Sequence, residues 1–210
     1  MVSEQLMRRD IVDPRVLAAF GRVPRELFVP AELAAQAYDD APLPIGSGQT
    51  ISQPYVVAVT VQALELRGHE RVLEIGSGSG YAAAILGTLA HAVTTIERIA
   101  ELAAAAAERL ARLGFVNIEV HHGDGTLGWP AGAPYEAIAV AAGAPRPPPS
   151  LLSQLAVGGR LVLPHGSVEH QRLVRITRRG PDEIVEEDLG EVRFVPLVGA
   201  EGWAERERRS

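Results

Sequence analysis

No cysteine occurs among the 210 residues, which excludes a disulfide framework, a thiolate metal site and a cysteine nucleophile. There is also no unbroken apolar run of the ~20 residues that a bilayer span needs. The opening stretch MVSEQLMRRD lacks the apolar centre of a secretion signal. Together these absences predict a cytoplasmic protein that does not engage a membrane. A basic excess is missing as well. The formal charge is −6, and the Arg-rich pieces at Arg178-Arg179 and Arg206 to Arg209 are short and interrupted by acids, so no field is present to hold a nucleic-acid backbone. His121 and His122 are adjacent and point to opposite sides of a strand, while His165 and His170 have no partner acid at ligand spacing. No metal is expected. No internal repeat is found.

Apolar residues make up 47% of the chain and charged residues 22%, the balance of a soluble globular protein. The length closes one core, so one domain is expected, with 1–66 as N-terminal helices and a polar loop, 67–200 as the core with its last strands, and 201–210 as a tail. Asp13-Pro14 reads as a helix start, with a helix ending near Gly21. Ala31 to Tyr38 suggests another short helix, and Pro54 opens one that runs through Leu66. From residue 71, short apolar runs alternate with helical patterns, the sequence form of βαβ units. The fold class expected is therefore α/β, Rossmann-like, a mostly parallel sheet with helices on both faces. Strands are predicted at Val72 to Ile75, Ala92 to Ile96, Ile118 to His121, Tyr135 to Ala141 and Arg160 to Leu163. Helices fall between them at Tyr81 to Leu89, Ile99 to Leu113 and Pro149 to Leu155. Leu173 to Arg178 and Ile184 to Leu189, separated by Gly180-Pro181, read as an antiparallel hairpin at the end of the sheet. Trp203 to Ser210 reads as a frayed tail.

The turn Glu74-Ile75-Gly76-Ser77-Gly78-Ser79-Gly80-Tyr81 joins the first of these strands to its helix, where glycine lets the backbone approach a ligand closely. Its spacing is G-x-G-x-G. The dinucleotide fingerprint G-x-G-x-x-G would need its third glycine at Tyr81, and the hydrolase elbow G-x-S-x-G would need serine at Gly78. Both are excluded. Glu97 ends the second strand about twenty residues on, the reach at which an acid accepts hydrogen bonds from a ribose. Asp124, between Gly123 and Gly125, ends the third strand at the same rim. Three strand ends thus converge on one crevice.

An acid ahead of G-x-G-x-G, an acid after strand two and an acid after strand three resemble the S-adenosylmethionine-dependent methyltransferases. LPIGSGQTISQP (residues 43–54), RVLEIGSGSGYAAAIL, HHGDGTLGW, QLAVGGRLVLP and EVRFVPLVG narrow the resemblance to the protein-L-isoaspartate O-methyltransferases, over about residues 4–199. GQTISQP and VRFVPLV are highly specific to that family. The resemblance implies methyl transfer from S-adenosylmethionine to the carboxylate exposed when asparagine or aspartate rearranges to an isoaspartyl linkage. The ester then closes to a succinimide that hydrolyses partly to aspartate. The resemblance implies damaged proteins and peptides as substrates, D-aspartyl residues among the targets, and a monomer is favoured.

Carried over residue by residue, the resemblance makes Ser52 the active-site residue, supported by Thr50, with Asp40 near the substrate. It assigns Gln49, Ile51, Glu74, Gly76, Ser77, Gly78, Gly80, Glu97, Arg98, Gly123, Asp124 and Gly125 to the cofactor. Several alternatives stand beside these roles. Ser52 would also serve as the cap of the helix opening at Gln53-Pro54, Asp40 as a solvated turn residue, and Val192 to Val198 as either a substrate groove or a buried terminal strand. The polar stretch 43–54 is expected as an uncharged lid that donates hydrogen bonds to an anionic substrate without repelling it. Bacterial members tend to read threonine, two alanines and proline after the fourth strand, where this chain has Ala141-Ala142-Gly143-Ala144. A relative acting on another carboxylate, or one that binds S-adenosylmethionine without turnover, would share most of these features.

Overall fold

The computed structural model describes residues 1–204. In its N-terminal part, helix α1 (Pro14–Arg22) is capped by Asp13, whose carboxylate accepts from the Arg15 backbone N–H at 2.8 Å. Short 3₁₀ turns follow at Arg25–Phe28 and Ala31–Gln36. The polar stretch was expected as a loop. It is instead a hairpin of β1 (Leu43–Gly46) and β2 (Gln49–Ile51), with left-handed φ values of 51° at Ser47 and 67° at Gly48 on its tip. That pair of angles meets the requirement of a type I′ turn, whose twist suits a two-residue connection.

Helix α2 (Pro54–Ala63) stops three residues short of the expected Leu66. Glu65 takes a left-handed φ of 50°, and its carboxylate binds Arg160 and Arg175 at 2.7 Å each. The left-handed turn at Glu65 ends the helix, and the ion pairs tie that turn to the sheet. Beyond it, β3 (Arg71–Ile75), α3 (Tyr81–Gly87), β4 (Ala92–Glu97), α4 (Ala100–Arg112) and β5 (Ile118–His122) alternate as expected. They are followed by β6 (Tyr135–Val140), α5 (Pro149–Gln154), β7 (Leu155–Gly166), β8 (Gln171–Arg178) and β9 (Ile184–Val192).

The seven-stranded sheet has the order β5-β4-β3-β6-β7-β8-β9. The pairs from β5 to β7 are parallel and the last two antiparallel. Strand β7 is far longer than Arg160 to Leu163 because β8 gives it a second, antiparallel partner out to Gly166 after its pairing with β6 has ended at Val162. Its first half absorbs a register shift between Tyr135 and Ala137 of β6. Alternate residues of the central strands bury opposite faces. Val72, Ala137, Ala139 and Val162 join the core under α1, α2 and α3, while Leu73, Ile75, Ile138, Val140, Leu161 and Leu163 join the core on the α5 side.

The chain order reverses between β3 and β6, a topological switch point where α/β sheets bind ligands outside the carboxyl ends of their strands. Register keeps those ends level, since Ile75 pairs with Ile96 on one side and Val140 on the other. Trp203 is no frayed residue: its indole Nε1 donates to the Gly143 carbonyl at 3.0 Å and its backbone N–H to that of Leu197 at 2.7 Å. The rest of the expected tail, from residue 205, lies outside the described residues. Among the described residues no helix is long and apolar enough to cross a membrane.

Candidate active site

The Gly-rich turn leaves β3 with Gly76 at φ 93° and Gly78 at φ 53°, angles that side chains with a Cβ rarely adopt. Space is limiting too. A Cβ at Gly78 would stand 3.2 Å from Ile45 Cδ1 of the β1–β2 flap, and one at Gly76 would stand 3.4 Å from Ala141 Cβ after β6. The flap therefore packs down on the turn, and only bare backbone fits between them. Gly76 N–H is bonded to the Ile96 carbonyl at 2.8 Å, which fixes the turn against the end of β4.

A cleft of about 890 Å³, its open mouth included, runs along this rim. Gln49, Thr50, Ile51 and Ser52 of the flap form one wall, Gly76, Ser77 and Gly78 its floor, and Glu97 and Arg98 the far side. Nine of the residues singled out from the sequence thus meet in one place. Glu97 is held there by the backbone: its Oε2 accepts from Gly78 N–H and its Oε1 from Ile99 N–H, both at 2.9 Å. Each carboxylate oxygen keeps a lone pair for a further donor.

Six of the expected residues do not line the cleft. Asp40 accepts from the Gln53 amide at 2.8 Å, from Arg9 at 2.9 Å and from the Tyr55 backbone N–H at 3.3 Å, so it serves as a remote cap for the first turn of α2. Asp124 binds Thr126 through both the backbone N–H (2.9 Å) and the hydroxyl (2.7 Å), and its other oxygen accepts from Ala200 N–H at 2.8 Å. Its carboxylate anchors the chain end rather than facing the cleft. Gly80 and Gly125 are required by packing, against Leu110 and Ile75 respectively, and Gly123 lies over Ile96. Glu74 sits beneath the floor. The helix-cap alternative for Ser52 also falls away, because the N-cap position of α2 is Gln53 and the side chain that reaches its first turn is that of Asp40.

Glu74 is buried, and burial raises its carboxyl to about pKa 8, against the Thr95 hydrogen bond that favours its charged form. Thr95 Oγ1 donates to Glu74 Oε2 at 2.5 Å, which leaves Ser77 Oγ as the donor in its 2.6 Å contact with Thr95. The chain of hydroxyls thus ties the acid to the cleft floor. A folded-state pKa above the unfolded value of 4.5 means that the native protein binds the extra proton between pH 4.5 and about 8. Stability should therefore fall as pH rises through that window. Glu74→Gln should flatten the loss, read as a melting temperature difference from the parent that grows between pH 5 and 8; parallel curves would show that Glu74 titrates normally.

The sequence assigned no site role to Tyr81 or Ile99, which line the cleft along with Ser79 of the Gly-rich turn and Ala142 of the loop after β6, nor did it place the apolar wall from Val195 to Val198 there. Tyr81 and Ile99 read as ordinary helix residues, and nothing local distinguishes them. A second groove, lined by Pro42, Gln53, Val56 and the stretch from Glu191 to Phe194, adjoins the first and shares Thr50, Ser52, Ala141 and Val195 with it. Both sequence alternatives for Val192 to Val198 find a part here: Val192 to Val195 line this groove, while beyond β9 the segment bridges Pro196 to Gly143 and Val198 to Trp203 and buries Leu197 in the core.

The family model for protein-L-isoaspartate(D-aspartate) O-methyltransferase matches residues 1–202. Over 205 residues, covering 97% of this chain and 84% of the relative, the sequence is 60% identical to protein-L-isoaspartate O-methyltransferase 1 of Rhodopseudomonas palustris (strain HaA2). A solved protein-L-isoaspartate O-methyltransferase superposes with a TM-score of 0.83 at 29% identity, covering 94% of this chain and 65% of the other. A Plasmodium falciparum structure described as a protein-L-isoaspartate O-methyltransferase, in complex with S-adenosyl-L-homocysteine, gives 0.81 at 26% identity over 94% of this chain and 96% of that one.

Proposed function

We infer the activity from one premise: the chain belongs to the protein-L-isoaspartate(D-aspartate) O-methyltransferase family. It transfers the methyl group of S-adenosylmethionine to the free carboxylate of isoaspartyl residues in damaged proteins and peptides. The observation that carries the site assignment is the junction of the two grooves, which share Thr50, Ser52, Ala141 and Val195. A methyl donor in one and a peptide in the other would meet there and nowhere else along the rim.

The cleft fits the cofactor by its donor set. Bare backbone at Gly76 and Gly78 would accept the amino-acid end, Glu97 and Arg98 the ribose, and the apolar side chains of Ile99, Leu197 and Val198 the adenine. When bound, S-adenosylmethionine supplies an electrophilic methyl carbon on a sulfonium. The acceptor needs no general base, because a carboxylate of this kind titrates near ~4 and is already anionic at neutral pH. What the chain contributes is alignment. Holding the oxygen within ~3 to 3.5 Å of the carbon and in line with the departing sulfur can be worth several kcal/mol. Ser52 and Thr50 donate hydrogen bonds to the carboxylate without adding a repelling charge, and the flap over Gly78 excludes water, which strengthens both contacts.

Action as a monomer is part of the same reading. A chain without cysteine loses nothing in a reducing compartment, which supports the cytoplasm as its place of work. The test is labelled methyl transfer to an isoaspartyl peptide and to its normal-aspartyl twin. Transfer to the first alone is expected; equal transfer to both, or to neither, overturns the reading.

A further inference from the structure

Beneath the flap lies a charged group that the reaction as described above does not use. Arg25, in the 3₁₀ turn after α1, is fully buried. Its Nε donates to the Ala37 carbonyl at 2.7 Å and its Nη2 to the Ser52 carbonyl at 2.8 Å. The guanidinium carbon lies 4.8 Å from the ring centre of Tyr81, a residue that also lines the cofactor cleft. Nη1 and the Tyr81 hydroxyl interact with one another and have no other hydrogen-bond partner among the described residues.

No ion pair neutralises this cation among the described residues. Asp40, whose charge Arg25 feels at longer range, is paired instead with Arg9 at 2.9 Å. A buried charge without a counterion is among the costliest groups a fold can carry, and it is tolerated where something else repays it. Two carbonyl oxygens and a ring face offset part of the cost through partial charges. A full negative charge is lacking. The one expected beside Ser52 is the substrate's carboxylate.

We propose that Arg25 is the positioning residue of the acceptor site: it fixes Ser52 through the backbone carbonyl, and its uncompensated charge makes the site select an anionic acceptor over a neutral one. The uncharged surface of the flap and this buried cation divide the work. Neutral hydroxyls touch the carboxylate, and the positive charge stays behind them, shielded from water and far enough from solvent that salt does not screen it. Arg193 and Glu191 also line the acceptor groove, one of each sign, so the charge of Arg25 is the one left without a partner beneath Ser52.

The inference rests on the isoaspartyl reading, and its test separates the two. Calorimetric binding of an isoaspartyl peptide and of its isoasparaginyl twin, whose carboxamide is neutral, is measured in the presence of S-adenosylhomocysteine, so no turnover is needed. The parent protein should prefer the charged peptide by about tenfold or more, the scale of one charge-assisted hydrogen bond. Arg25→Gln, which keeps a donor and loses the charge, should bring the two affinities within about twofold while leaving S-adenosylhomocysteine affinity little changed. Arg25→Lys should retain much of the preference. A folded Arg25→Gln protein that still discriminates as the parent does would overturn the proposal. So would a parent protein that binds both peptides equally, an outcome that decides the matter even if no variant folds. Failure of the isoaspartyl reading itself would show separately, as absent methyl transfer by the parent.

Discussion

Ser52→Ala should lower kcat for an isoaspartyl peptide by ~10²-fold or more, the cost of removing one preorganised donor from a site that excludes water. Its KM for S-adenosylmethionine should hardly move, because Glu97 and the Gly-rich turn, not Ser52, are assigned the cofactor's weight. The melting temperature should shift by no more than about 2 °C, since the hydroxyl caps no helix. The backbone carbonyl of Ser52, which Arg25 holds at 2.8 Å, is unaffected by the substitution. Steady-state kinetics beside a thermal melt decides between roles. A loss of activity that tracks the unfolded fraction would mean that Ser52 serves the fold, and undiminished turnover would remove it from the acceptor site altogether. Thr50→Ala, at the same junction, should give a smaller loss of the same kind.

Glu97→Ala should weaken S-adenosylhomocysteine binding by ~10²-fold, the equivalent of about 3 kcal/mol from two charge-assisted hydrogen bonds to ribose hydroxyls. Calorimetry reads this without turnover. The variant should also be less stable, because Gly78 and Ile99 lose the carboxylate that accepts their N–H groups at 2.9 Å. Glu97→Gln separates the two effects. It keeps one oxygen acceptor and gives up the charge, so the turn should hold its shape better while affinity still falls by about tenfold. A folded Glu97→Ala protein with unaltered affinity would refute the ribose assignment. At saturating cofactor, turnover of the Gln variant should return close to that of the parent, which distinguishes a binding role from a chemical one.

How much of this was legible in the sequence depended on the range of the forces involved. The βαβ succession could be read because apolar runs and helix-forming stretches are local: Val72 to Ile75 and Ala92 to Ile96 became β3 and β4 with a shift of one residue at most. The β1–β2 hairpin escaped because Pro44 and three nearby glycines or serines look like breakers, while its two strands are only four and three residues long. It is stabilised by lying on Gly78, a contact that local pattern does not encode. The end of α2 escaped because a non-glycine residue, Glu65, takes the left-handed conformation there, tied by its carboxylate to Arg160 and Arg175 from distant strands.

The site shows the same division. Motifs on the flap, the Gly-rich turn and Glu97 pointed to the cleft, since each sits at an element boundary on the same rim. Asp40 and Asp124 carried the same chemical signature, an acid at a turn, yet their carboxylates are consumed by Gln53 and Tyr55 in one case and by Thr126 and Ala200 in the other. An acid that binds a ligand and one that caps a chain segment look alike until their donors are located.

By itself, then, the sequence determined the α/β alternation, the order of the strands along the chain and the kind of chemistry at the rim, because hydrophobic periodicity, turn residues and short motifs act over a few positions. Tertiary structure alone decided which polar groups are spent on the fold and which are left to a ligand. It closed the flap onto Gly78, tied Asp40 and Asp124 to other segments of the chain, and buried Arg25 behind Ser52. Those outcomes depend on donors, acceptors and charges brought together from distant parts of the chain, and the energy of each is set by the partner it meets and the water it loses.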